Sequence, residues 1–149
     1  MYFLLLPQKQ YDLQLRSGTP VLPELLKGKS FMVIGLDIDG TITRHPEFFS
    51  LLSQSMVNAG HKVIIITFRE NYRATKDYLG QCGIAYSELI TSTLESCFEH
   101  GVDEWKGVVC RKYGVEIFFE DDLRVIKHIE QSTLCLVPID SSHLRDANC

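Results

Sequence analysis

Apolar positions along the chain fall into short runs that alternate with segments of helical periodicity. Residues 31–36 and 62–67 are nearly continuous apolar runs, and the second contains Val63-Ile64-Ile65-Ile66. Short β-branched runs of this kind predict strands that are buried on both faces, as in a parallel sheet. Further strands are predicted over residues 87–91, 115–119 and 134–137.

Between these runs, apolar residues recur at helical spacing over residues 46–59, 72–81, 103–113 and 123–131. Pro46 is suited to the first turn of the first helix, and Gly60 is suited to the position just past its end. Strands that alternate with helices predict an α/β fold, a three-layer Rossmann-like parallel sheet with helices on both faces.

Residues 1–30 fit this alternation less well, because Pro20 and Pro23 flank a short apolar stretch over residues 21–26. We interpret residues 1–30 as an N-terminal extension that forms either an edge strand or a partial lid. Residues 31–149 are then a single α/β domain, and 149 residues are enough for one buried core.

Composition narrows the classes of protein to consider. A net charge of −4 disfavours extended nucleic acid as a partner, because that binding depends on Lys and Arg. The five cysteines show no close pair, which argues against a disulfide framework or a zinc site. No apolar run reaches the ~20 residues that span a bilayer, and residues 1–7 make a poor signal peptide. We therefore expect a cytoplasmic protein without a membrane partner.

Polar residues follow three of the predicted strands directly. Asp37, Thr67 and Asp121 each stand at the carboxyl end of a strand. Ligands of parallel α/β sheets bind beyond that end of the strands. The fold would therefore bring these three residues, distant in sequence, to one edge of the sheet.

Asp37 and Asp39 are two residues apart in Asp37-Ile38-Asp39-Gly40-Thr41. Carboxylates at the end of a buried strand are costly unless a cation neutralises them. One Asp can offer its side chain and the other its backbone carbonyl, because Gly40 allows the chain to bend. The all-oxygen donor set predicts Mg²⁺ as the cofactor, with Asp37 and Asp39 as metal ligands.

This string after an apolar strand resembles the first motif of the haloacid dehalogenase (HAD) superfamily. Thr67 at the end of Ile64-Ile65-Ile66 resembles the second motif, Lys106 the third, and Glu120-Asp121-Asp122 the fourth. The four occur in the family's order. They cover residues 31–122, and Lys112 is the alternative to Lys106.

The resemblance implies a role for each matched residue. Asp37 would be the nucleophile that forms an aspartyl phosphate, and Asp39 the general acid and base. Thr67 would hydrogen-bond the phosphate oxygens, and Lys106 would hold the phosphate and Asp37 in place. Asp121 would complete the magnesium site, with Asp122 as the alternative ligand.

The implied activity is that of an enzyme, a magnesium-dependent phosphomonoester hydrolase. Thr67-Phe68-Arg69-Glu70 and the string FFEDD resemble 5′(3′)-nucleotidase-like members and the phosphatase domain of polynucleotide kinases. That closer resemblance implies a nucleotide substrate and a contact from Arg69 to its second anionic part; a surface ion pair is the alternative for Arg69. Polynucleotide ends and sugar phosphates remain alternative substrates, and a HAD-fold binding or regulatory protein without turnover is the alternative function.

The spacing of the motifs leaves no room for a large cap domain. Only residues 42–46 separate the first motif from the next helix, and 38 residues lie between Thr67 and Lys106. The site is therefore expected to be open. The partner is expected to be a small phosphorylated metabolite. A homo-oligomer, in which a neighbouring subunit closes the site, is an alternative.

Overall fold

A computed structural model describes residues 31–139 of the chain, so the predicted N-terminal extension over residues 1–30 lies outside the described residues. Five strands form one sheet: β1 (Val33–Leu36), β2 (Lys62–Thr67), β3 (Glu88–Thr91), β4 (Ile117–Phe119) and β5 (Leu134–Leu136). Their order is β3-β2-β1-β4-β5, and every neighbouring pair is parallel. The predicted Rossmann-like α/β fold class is confirmed.

Five helices connect and flank the strands: α1 (Pro46–Asn58), α2 (Tyr72–Gln81), α3 (Leu94–His100), α4 (Val102–Tyr113) and α5 (Leu123–Ile126). Over residues 31–139 no segment is large enough to be a cap domain, as the motif spacing predicted. Within the same range, no helix has the length and apolar character needed to cross a membrane.

The sheet separates two hydrophobic clusters, and β2 shows why. Its successive side chains point to opposite faces, so Val63 and Ile65 join one cluster while Ile64 and Ile66 join the other. The first cluster includes Phe49 of α1 and Leu79 of α2. The second includes Trp105 and Val109 of α4. Burial on both faces explains why the run in β2 is continuous rather than alternating.

Two helices differ from the sequence prediction. Helix α3 was not predicted, because it buries no residue and therefore lacks the apolar periodicity of a core helix; Phe98 is 88% exposed. A reciprocal pair of hydrogen bonds between Thr93 and Ser96 caps its first turn instead. Helix α5 ends at Ile126 and does not reach residue 131, because the amide of His128 bonds the carbonyl of Val125 in a tighter turn.

The strand order decides where the site lies. β1 is central and pairs with β2 on one side and with β4 on the other, so Leu36 is in register with both Ile65 and Phe119. The residues that follow β1 and β4 therefore leave the sheet side by side. The amide of Asp37 continues the ladder by donating to the carbonyl of Phe119 at 3.0 Å.

Candidate functional site

The chain makes a wide turn directly after β1, over Ile38–Ile42, closed by a hydrogen bond from the amide of Thr43 to the carbonyl of Ile38 at 2.9 Å. Gly40 has a φ of +88°, a backbone conformation that side chains disfavour. A Cβ at Gly40 would also overlap the carboxylate of Asp121. The turn therefore requires glycine twice over, and it forms a cradle around Asp121.

Lys106 lies at the centre of the site. It projects from α4 and is only 2% exposed, as are Asp37 at 2% and Glu120 at 1%. Its Nζ donates to Oδ1 of Asp37 at 2.6 Å and to Oε2 of Glu120 at 2.7 Å. The same ammonium lies over the ring of Phe68, 4.5 Å from the centroid. Lys112, the alternative, lies exposed at the other end of the helix.

The electrostatics of the site are dominated by burial. Burial raises the pKa of Asp37 to about 7, Lys106 opposes that rise and Glu120 adds to it. Burial would lower the pKa of Lys106, but the charges of Asp37 and Glu120 outweigh it and the pKa is raised. The ammonium is thus held charged between two carboxylates that compete for it.

Asp37, Glu120 and Asp121 each place a carboxylate oxygen so that the three atoms lie within 4.8 Å of one another. Both oxygens of Glu120 have other partners, since Oε2 accepts from Lys106 and Oε1 accepts from the amide of Asp122 at 2.9 Å. Asp121 has only a long hydrogen bond, 3.4 Å, from the hydroxyl of Thr41. Asp37 and Asp121 are therefore the better candidate metal ligands, and Glu120 mainly holds Lys106.

Asp122 faces a different set of partners. Its carboxylate accepts from the backbone amide of Arg124 at 2.8 Å and pairs with the guanidinium, so it caps α5. These hydrogen bonds from Arg124 lower the pKa of Asp122. Of the two adjacent acids, the structure groups Asp121 with Asp37 and leaves Asp122 at the mouth.

Of the remaining predicted residues, Asp39 lines the pocket, a cavity of about 140 Å³, whereas Thr67 and Arg69 lie outside its lining. The carboxylate of Asp39 accepts two hydrogen bonds from Arg69, at 2.9 Å from Nε and 2.6 Å from Nη2. Arg69 therefore forms an ion pair in the structure. Thr67 is fully buried, and its hydroxyl oxygen accepts from the amide of Arg69 at 3.2 Å.

Sequence reasoning quoted Glu120 but assigned it no role. The signal was present, because Glu120 is the first residue after β4 and therefore leaves the sheet beside Asp37. Phe68, which covers the ammonium of Lys106, carried no sequence signal beyond following Thr67.

Comparisons with known proteins identify no family for the chain. No family model matches it, and no curated protein matches it. A solved structure that matches is titled "Crystal structure of universal stress protein in complex with cAMP"; it is 10% identical, with a TM-score of 0.44, and covers 73% of this chain and 97% of that one. At that identity and TM-score the match carries no argument about the ligand of this chain.

These comparisons correct the family prediction. Neither a family model nor a curated protein supports the HAD superfamily, so the assignment is wrong. The phosphomonoester hydrolase, its nucleotidase-like, polynucleotide-end and sugar-phosphate variants, and the HAD-fold regulatory protein fall with it. The physical reason is that acids and a lysine at the rim of a parallel sheet meet the general needs of a polar site and specify no family. That the chain is an enzyme, and that Mg²⁺ is its cofactor, stay predictions.

Proposed function

We propose that the pocket binds a small phosphorylated ligand together with a divalent cation, of which Mg²⁺ is the first to test. The observation that carries this proposal is that carboxylate oxygens of Asp37, Glu120 and Asp121 lie within 4.8 Å of one another, with the first two residues paired to one buried ammonium. The proposal concerns binding.

The balance of charge supports the cation. Asp37 and Glu120 share one ammonium, Asp121 adds a third carboxylate beside them, and Asp37, Glu120 and Lys106 have lost almost all contact with water. Buried charge that is not neutralised is strongly unfavourable. The donor set consists of oxygen alone, which hard cations such as Mg²⁺ prefer.

The same balance supports a phosphorylated ligand. Five carboxylates line the pocket, and Lys106 is the one cation among the lining residues in the described range. An anion would be repelled by this lining unless a bound cation reverses the local charge. Mg²⁺ keeps several water positions open and commonly shares them with phosphate oxygens. A nucleoside diphosphate is the member of this class that we propose to test, because it offers two phosphates to one cation.

Thermal unfolding measured with and without Mg²⁺ tests the proposal. Saturating Mg²⁺ at about a hundred times its Kd should stabilise the wild-type protein by about 2.7 kcal/mol. Asp121→Asn should remove most of that gain, because it removes a carboxylate with few other partners. The control is Asp77→Asn, an exposed acid on α2, which should keep the full gain.

Titration of ADP by calorimetry supplies the second part of the test. Heat of binding is expected with Mg²⁺ and is expected to disappear in EDTA. An equal Mg²⁺ response in wild type and Asp121→Asn would exclude the proposed cation site. ADP binding that is unchanged by EDTA would exclude the joint site.

A further inference from the structure

An ion pair lies at the mouth of the pocket and takes part in none of the interactions described for the cation. Nε and Nη2 of Arg69 both donate to the carboxylate of Asp39, in the two-pronged geometry that guanidinium groups make with carboxylates and phosphates. Asp39 lines the pocket. Arg69 therefore has two donors at the edge of the cavity, and both are occupied by the carboxylate of Asp39.

The donors available to a phosphate are few. The ammonium of Lys106 already serves Asp37 and Glu120, and both bonds are short. The guanidinium of Arg124 serves Asp122 and is itself largely exposed. Among the described residues, Arg69, which follows Phe68 of the pocket lining, is the remaining guanidinium that pairs with a lining carboxylate.

The exposure of the pair indicates that it can be exchanged. The side chain of Asp39 is 59% exposed and that of Arg69 is 28% exposed. Ion pairs this exposed are weak, because water stabilises the separated partners nearly as well. A phosphate held by Mg²⁺ offers the same two-pronged acceptor with more charge. Released Asp39 would regain water at little cost.

We propose that Asp39 is an internal competitor for the ligand: its carboxylate occupies Arg69, and a ligand phosphate must displace it to bind there. This inference rests on the proposed function and adds to it a specificity-determining pair. Ligands with one phosphate can occupy the cation alone. Ligands with a second phosphate gain the guanidinium of Arg69.

Tyr78 is the positioning residue of this arrangement. Its ring lies 4.5 Å from Cζ of Arg69, and it projects from α2, which starts shortly after Arg69. A planar guanidinium packed on an aromatic face loses rotational freedom, so its two donors stay aimed at one acceptor. Tyr78 acts through Arg69 and makes no contact with the ligand in this scheme.

Calorimetric titration of ADP at fixed saturating Mg²⁺ tests the proposal. Asp39→Asn should raise the affinity for ADP about two- to fivefold, the range expected when an exposed ion pair no longer competes. Glu130→Gln is the matched control. It removes one negative charge from the exposed ion pair between Glu130 and Arg111, neither of which lines the pocket, and it should leave the affinity within error.

A double-mutant cycle separates competition from general charge. In an Arg69→Met background the affinity should be lower, and Asp39→Asn should no longer raise it. Tyr78→Leu should lower the affinity for ADP more than the affinity for AMP, and Tyr78→Phe should restore the wild-type ratio.

Three results would overturn the inference. They are a gain from Asp39→Asn that persists without Arg69, an equal gain from Glu130→Gln, and no gain at all in a protein that binds Mg²⁺ and ADP. The last leaves the proposed function standing. Absence of ADP binding in the wild type would overturn both together.

Discussion

Lys106 is the side chain on which the two buried carboxylates of the site both depend for neutralisation. It is buried, and it donates to carboxylates that follow two different strands. Pairs of this kind add little net stability when complete, but removal of one partner leaves buried charge without compensation. Loss of Lys106 should therefore cost more free energy of unfolding than the intact ion pairs contribute, because it leaves Asp37 and Glu120 uncompensated.

Replacement of Lys106 by Met tests that statement. Lys106→Met should lower the free energy of unfolding by about 3–5 kcal/mol, because Asp37 and Glu120 lose their shared donor. Urea unfolding in EDTA measures it. Lys112→Met, an exposed lysine on the same helix, should change stability by less than about 0.5 kcal/mol. Similar losses in the two variants would contradict the role given to Lys106.

Asp37 makes the stability of the protein depend on pH. Burial raises its pKa from 3.8 to about 7, so between these values the folded protein holds a proton that the unfolded chain has released. The contribution to stability is complete below about pH 4 and declines as the pH rises towards 7. At about 1.4 kcal/mol for each pKa unit, the decline amounts to a few kcal/mol.

Urea unfolding across pH 4–7 in EDTA checks this sign. The wild-type curve should fall relative to that of Asp37→Asn, which carries no titrating carboxyl at this position. Parallel curves for the two proteins would show that the carboxyl titrates alike in folded and unfolded chains.

At the residue scale, the sequence located part of the site. Strand ends were sufficient to select Asp37 and Asp121, since a parallel sheet brings its carboxyl ends together. Lys106 was selected from the motif resemblance, and its place at a helix start favoured it over Lys112. These signals could not assign a partner to each oxygen. That Glu120 holds Lys106 and that Asp39 accepts from Arg69 depend on side-chain geometry, which residue order does not determine.

At the scale of single elements, α4 carries the site because it packs closely on the turn after α5. A Cβ at Gly107 would overlap the carbonyl oxygen of His128, so the helix lies as near to that turn as a backbone can. Gly107 is also the neighbour of Lys106. The position of the Lys106 ammonium therefore depends on the close approach that Gly107 allows between α4 and the turn at His128.

Two glycine substitutions measure this close approach. Alanine is favoured over glycine inside a helix by about 1 kcal/mol. Gly80→Ala in α2, with no atom within 4 Å of the added Cβ, should stabilise the protein by about that amount. Gly107→Ala should instead destabilise it by about 1–3 kcal/mol, because the backbone must move. Stabilisation by both would show that α4 can shift freely.

The elements also show where pattern reasoning succeeds. The bounds of β2 and α2 agree with the predicted ranges, because one is a continuous β-branched run and the other ends at a clear helix stop. Helix α3 escaped prediction because it buries nothing. Hydrophobic periodicity arises from the burial of one helix face, so it cannot reveal a helix such as α3, which buries no residue and is stabilised by its cap.

At the scale of the whole molecule, the order of the strands brings together residues that no local sequence pattern relates. The sequence predicted the fold class from the alternation of strands and helices, and the structure confirms a parallel sheet. The position of β4 beside β1, rather than at an edge, was not predicted. Hydrophobic pattern marks a strand as central or buried, but it does not name its neighbours.

The adjacency of β1 and β4 has a consequence for synthesis of the chain. A nascent chain that ends before residue 106 contains Asp37 but neither Lys106 nor Glu120. During translation Asp37 therefore has neither partner until α4 and the residue after β4 have been synthesised. Contacts between segments distant in sequence form slowly. The site can be completed only after residue 120 has been synthesised, so a chain truncated before α4 would expose an acidic turn without the lysine that neutralises it.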